Sequence, residues 1–197
     1  MTIGIGVLCS AKTRPSLIRP DTIVLISDTM GSTDTDSTSE LHKLYVEENL
    51  YVACAGRIEL ASEIISLFKQ ELAKLPSRIH GAIWTALNKA VHEHRMTHFQ
   101  WDVIAPRHMF TPGEVFEKQH DKIIEEWQNY DLGLDMLVGT FHHSGLALLY
   151  LVGQVYDAQG QIAPGLVHSY AYPGFATIGT GGQMPIFGLT SATNTWG

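Results

Sequence analysis

The sequence predicts an α+β layered domain on three observations. Short apolar runs bounded by turn residues fill the chain as far as Gly56, two amphipathic stripes of helical period follow, and strand-like runs return after Gly133. Strands, then helices, then strands again describe sheets covered by helices rather than a helical bundle or alternating βαβ units. No internal repeat, low-complexity linker or second-domain boundary interrupts this order, so residues 1–197 are read as one domain.

Each element has a local reason. Thr2–Cys9 (TIGIGVLC) is a strand with glycine at alternate places, a pattern that marks a bulge or the close approach of another backbone or a ligand. Ser10–Pro20 is polar and proline-bearing, and reads as a surface extension of a hairpin, free to serve at a subunit contact. Thr22–Ser27, Leu44–Val46 and Leu50–Ala55 are apolar runs shorter than eight residues, the length of buried strands. They put Asp28 at one strand end, Lys43 at the start of the next strand and Gly56 just past a third. An acid, a base and a bare backbone amide at three strand ends are able to converge on one point.

Leu60, Ile64, Leu67, Phe68, Leu72 and Leu75 recur every three or four places, giving a helix with one apolar stripe. Pro76 stops it, and Ser77 is positioned to cap a second helix carrying Ile79, Ile83, Leu87, Ala90 and Val91. Thr111-Pro112-Gly113-Glu114 is a capping box with proline at the first helical position, opening a third helix with Phe116, Ile123, Ile124 and Trp127 inward. Four strands close the chain (LDMLVGTF, GLALLYLVG, LVHSYA and FATIGTGG), with turns at Asp157–Gly160 and Tyr172–Gly174.

Composition excludes several functions. The chain is 45% apolar and 17% charged with net charge −7, so it lacks the basic surface that a phosphate backbone requires. No apolar run approaches the roughly 20 residues needed to span a bilayer, and MTIGIGVL lacks the charged start of a secretory signal. Cys9 and Cys54 both lie in strand-like apolar runs and are expected to be buried, reduced thiols, as in a cytoplasmic protein. Neither nucleic acid nor membrane is an expected partner.

The ordered set Thr2, Asp28, Lys43 and Ala55-Gly56, followed downstream by Ile178-Gly179-Thr180-Gly181-Gly182, resembles the proteasome β-subunit family and the related bacterial peptidase that works with a ring ATPase. The likeness extends to the bacterial Anbu-type branch, which also begins Met-Thr. It covers most of residues 2–190 and implies a four-layer αββα sandwich, a single proteasome-like domain of the N-terminal nucleophile hydrolase kind. It also implies roles. Thr2 is the nucleophile, and its α-amine, with an ordinary pKa near 7.7–8.0, is the base. Lys43 favours the alkoxide-like hydroxyl, Asp28 anchors Lys43, the Gly56 N–H faces the oxyanion, and Thr180 stands at the family's serine to assist proton transfer. Removal of Met1 before the small Thr2 exposes that amine; retained, it leaves an amide that cannot act as base.

Bland readings stand beside these: a salt bridge that only fixes the sheet, a glycine needed for a turn, a plain turn at Thr180. His42 is expected on the opposite side of its strand from Lys43. His94 and His98 have the i,i+4 spacing that can bind zinc, but HEHRMTH is not the HExxH pattern, and histidines at a helix C-terminus are expected to be solvated or packed. His142-His143 reads as a hairpin rim, and no G-x-S-x-G elbow supports a Ser/His/Asp triad. No metal and no cofactor are expected.

The chain departs from the family in two places. Met30 stands where the family has an arginine. Beyond the glycine turn the family continues through helices and strands whose Asp and Ser support the threonine, and nothing between Thr180 and Gly197 matches either. The fold is therefore expected to lack its C-terminal part, which is consistent with a fragment, a site completed differently, or a degenerate site. Sheet edges left open in this way need a partner. The implied function is a threonine-type hydrolase cleaving peptide bonds inside a self-compartmentalised homo-oligomeric ring, with an ATPase as a further partner. The alternatives are an inactive proteasome-like scaffold or assembly subunit, and an N-terminal nucleophile amidase acting on a small-molecule amide.

Overall fold

In the computed structural model, the described residues are 3–10, 20–28, 43–106, 120–154, 166–170 and 174–179. They form eight strands: β1 (Gly4–Cys9), β2 (Thr22–Ser27), β3 (Leu44–Glu47), β4 (Leu50–Gly56), β5 (Leu134–Phe141), β6 (Ala147–Val152), β7 (Val167–Tyr170) and β8 (Phe175–Ile178). Three helices are α1 (Ala61–Ala73), α2 (His80–Phe99) and α3 (His120–Asn129). A 3-10 turn at Ile58–Leu60 leads into α1, and a π-helical turn at Gln100–Ile104 extends α2. No helix among the described residues is long and apolar enough to cross a membrane.

The strands make two antiparallel sheets, β2-β1-β8 and β3-β4-β5-β6-β7. Residue alternation assigns their faces. In the five-stranded sheet, Val52, Cys54, Met136, Val138, Tyr150 and Val152 point to the helices, joining Ile64, Phe68, Ile83, Leu87 and Val91 in one core. The opposite face gives Ala53, Ala55, Leu137, Leu149 and Leu151, which pack with Leu8, Ala176 and Ile178 of the small sheet. The alternate glycines of β1 belong to this second core. A Cβ on Gly6 would stand 3.0–3.3 Å from methyls of Leu25, Leu149 and Leu137, so the close approach is made by apolar side chains, not by a ligand.

The layers are thus helix, sheet, sheet, the mixed α/β order expected, with three of the four layers represented among the described residues. Val24 and Ile26 on the outer face of β2, and Leu44 and Val46 on β3, are exposed.

Several local expectations change. Ser77 does not cap α2: the N-cap is Ile79, in extended backbone and without a side-chain bond to the helix. Ile79 is itself exposed, so the inner stripe begins at Ile83, and it gains Ala86 and His94. Ile124 is exposed, because α3 meets α2 through Trp127: Phe99 packs edge-on against Trp127 and Tyr130. Arg95 covers the Trp127 ring at 4.2 Å and donates to the carbonyl oxygens of Trp127 and Tyr130, closing the C-terminus of α3 with positive charge. Cys54 is buried and Cys9 half-buried, and both are free thiols. The Thr111 capping box, Phe116, His42, Met30 and the Asp157–Gly160 turn lie outside the described residues.

Candidate active site

Strand register brings Asp28, Lys43 and Gly56, the expected site residues that are described, to one end of the sandwich. In the small sheet Gly4 pairs with both Ser27 and Ile178, so the start of β1, the end of β2 and the end of β8 lie side by side. In the large sheet Ala55 pairs with Asp135 and Gly56 with Leu134, while Met136 pairs with Val152. The Lys43 carbonyl accepts from the Cys54 N–H at 2.9 Å, placing Lys43 two positions from Gly56 across the ladder. Asp28, Lys43, Gly56 and Asp135 therefore all stand at strand termini on the same edge.

Two contacts tie the sheets together there. The Lys43 ammonium donates to Asp28 Oδ1 at 2.8 Å. The lysine side chain is only 4% exposed and the aspartate 29%, so the cation is buried and the anion still touches water. The Asp28 N–H donates to the Ile3 carbonyl at 3.1 Å, fixing the aspartate backbone to the residue that follows Thr2. Asp135 makes the second tie: its carboxyl accepts from the backbone N–H of Gly179, the residue before Thr180. Burial holds the Asp135 carboxyl above the usual carboxylate range; the Gly179 N–H opposes that rise and nearby Asp131 adds to it. Thr2 and Thr180 themselves lie outside the described residues, but their described neighbours Ile3 and Gly179 both stand at this edge.

Gly56 is the exposed last residue of β4, with φ +82°. A Cβ there would lie 2.1 Å from the Gly133 carbonyl oxygen, which also accepts the Arg57 N–H at 2.8 Å. Only glycine satisfies this turn. The same turn leads straight into the 3-10 turn and α1, whose N-terminal amides favour negative charge.

Asp135 went unnoticed in the sequence, where LDMLVGTF reads as one apolar strand. The available signal was parity: Leu137 faces the inter-sheet core, so Asp135, two residues earlier, faces the same gap, where a carboxyl is out of place without a polar partner.

On the far side of the large sheet, the helix layer holds a second polar group. His94 Nδ1 lies 3.3 Å and His98 Nε2 3.9 Å from Glu63 Oε2. His94 is 3% exposed, the packed of the two alternatives expected for these histidines, and His98 is half-buried. Burial, with His98 beside it, holds the His94 imidazole below its ordinary value, against the pull of Glu63. His142 and His143 stand at the β5–β6 turn, where His142 Nδ1 meets Ser144 Oγ at 2.7 Å.

No family model and no curated protein matches the chain. Solved structures do share its fold. An Anbu mutant from Hyphomicrobium sp. strain MC1 superposes on 91% of the chain at TM-score 0.51 and 13% identity, with 61% of that protein covered. Anbu from Yersinia bercovieri, described as an ancestral beta-subunit, matches 90% of the chain at TM-score 0.50 and 14% identity, with 60% covered. The chain thus spans about three fifths of the length of these structures. The two stacked sheets under a helix layer are the fold that these Anbu structures share, the fold the resemblance implied.

Proposed function

We propose that the chain is a threonine-type N-terminal nucleophile hydrolase that cleaves peptide bonds within a homo-oligomeric compartment in the cytoplasm. The observation that carries this reading is the buried Lys43–Asp28 pair whose aspartate is bonded to Ile3, the residue next to Thr2. A desolvated ammonium costs several kcal/mol unless it is well partnered. Placed beside a hydroxyl, it lowers the energy of the alkoxide-like state that attacks a carbonyl.

In the proposed reaction the Thr2 Oγ forms a bond to the scissile carbonyl carbon while its proton passes to the α-amine of the same residue. The Gly56 N–H faces the resulting oxyanion, a contribution of roughly 2.7–4 kcal/mol for one such donor. The C–N bond then breaks, the leaving amine takes the proton, and water hydrolyses the Thr2 ester by the reverse sequence. Asp28 orients Lys43. Asp135, through Gly179, positions the segment that carries Thr180. No cofactor enters these steps. The exposed apolar side chains Val24, Ile26, Leu44 and Val46 support assembly with further subunits, and an ATPase is a partner of the same proposal.

Fluorogenic peptides offered to the protein freed of Met1, and to its Thr2→Ala variant, test the reading. Hydrolysis by the first and not the second is expected. Equal rates, or hydrolysis confined to small-molecule amides, overturn it.

A further inference from the structure

We propose that Glu63 of α1 and His94 and His98 of α2 form a binding site for a divalent transition metal, zinc being the ion that fits best, which clamps the two helices together. The motivating geometry is three ligand atoms around one point. One donor from each residue lies within 4.8 Å of the others, with Glu63 Oε2 at 3.3 Å from His94 Nδ1 and 3.9 Å from His98 Nε2. Both separations lie within ion-pair range but exceed the roughly 2.7–2.9 Å of a well-formed charge-assisted hydrogen bond, so the carboxylate oxygen stands between the two rings without closing tightly on either. Zinc binds nitrogen and oxygen at about 2.0–2.2 Å, and tetrahedral angles then set its ligands roughly 3.3–3.5 Å apart. The Glu63–His94 spacing already fits, and His98, 3.9 Å from Glu63 and within 4.8 Å of His94, has to move inward to complete the set.

The surroundings suit such a site. His94 and His98 sit one helical turn apart with ring centroids 4.4 Å apart, aimed at the same carboxylate oxygen from the neighbouring helix. His94 is buried in the helix core, which holds its ring in place, and its Nε2 has no hydrogen-bond partner among the described residues. His98 is half-buried and Glu63 is exposed at the rim of a surface groove lined by Ser66, Leu67, Glu93 and Thr97. That groove gives the ion a way in and leaves a fourth position for water. Two imidazoles and one carboxylate are borderline ligands, which favour zinc and its transition-metal neighbours over calcium or magnesium. The site lies on the opposite face of the large sheet from Lys43 and Asp28, so it stands independently of the proposed hydrolysis.

The test is a zinc titration of the chelator-stripped full chain in competition with a chromophoric chelator. One equivalent should bind. His98→Ala and Glu63→Gln, both at positions open enough to leave the helix core intact, should weaken binding at least about 100-fold. His142→Ala combined with His143→Ala, which removes the other histidine pair, should leave it unchanged. Zinc should raise the melting temperature of the stripped parent and not that of His98→Ala. Cobalt(II) should give the visible absorption of a four-coordinate site, absent in Glu63→Gln. No stoichiometric binding by the parent, binding by His98→Ala equal to the parent, or loss confined to the His142/His143 variant would overturn the assignment.

Discussion

Removing either member of the Lys43–Asp28 pair should have unequal consequences for stability and the same consequence for catalysis. At 2.8 Å and an effective dielectric of ~20, the gross attraction is ~6 kcal/mol, most of it offset by taking the ammonium out of water. Asp28→Ala leaves that ammonium buried without its carboxylate. Breaking a fully buried pair costs about 3–5 kcal/mol. Here the aspartate is 29% exposed and Lys43 has interactions beyond this pair, so about 2–3 kcal/mol is expected. Lys43→Met replaces the cation by an apolar chain of similar shape and leaves Asp28 reaching water, so its loss should stay within about 1 kcal/mol. For a chain of this size the first corresponds to a fall in Tm of about 4–12 °C, the second to about 4 °C at most. Urea unfolding of the three proteins gives the free energies directly, and peptide hydrolysis gives the rates. Both variants should lose activity, although only one loses much stability. A neutral Asp28→Ala, or a Lys43→Met that cleaves peptides at the parental rate, would refute the reasoning.

Three further outcomes follow from the same structure. Gly56→Ala forces φ +82° on a residue with a Cβ and drives that atom against the Gly133 carbonyl, so a loss of at least about 2 kcal/mol is expected in urea unfolding. Asp135 has a carboxyl pKa raised by burial, so the folded state holds its proton more tightly than the unfolded chain does. Its ionisation therefore opposes folding at neutral pH, and that opposition fades as pH falls through the raised value towards the ordinary carboxylate range. The stability of the parent relative to Asp135→Asn should accordingly rise between about pH 7 and pH 4, and a flat difference would contradict the assignment. Burial pushes the Cys54 thiol up to about 12, so in the native protein an alkylating reagent should modify Cys9 well before Cys54, a ratio that peptide mass mapping reads.

Much of the architecture was legible because local pattern and tertiary fate agree. Thr22–Ser27 and Leu134–Phe141 are strands with the bounds their apolar runs suggest, and the Leu60–Leu72 stripe faces the sheet as its period requires. Ser77 and Ile124 misled for the same reason: a cap or an inner face is decided by where the helix docks, and α3 docks through Trp127 and Tyr130. In the site, Asp28, Lys43 and Gly56 were legible from their places at strand ends. Asp135 was not, because its significance lies in a bond to Gly179, far away in sequence. The Glu63 contact was hidden likewise: the His94/His98 spacing is visible in one helix, but the carboxylate comes from another.

The most direct measurement concerns the first residue of the processed chain. The Met-free protein is treated with an epoxyketone, and the modified peptide is identified by mass spectrometry. A single adduct joined to both the amine and the hydroxyl of Thr2, absent from Thr2→Ala and from Lys43→Met, is the expected result. An unmodified Thr2 in Met-free material, or an adduct that survives in Lys43→Met, would contradict the chemistry assigned to this edge of the sandwich.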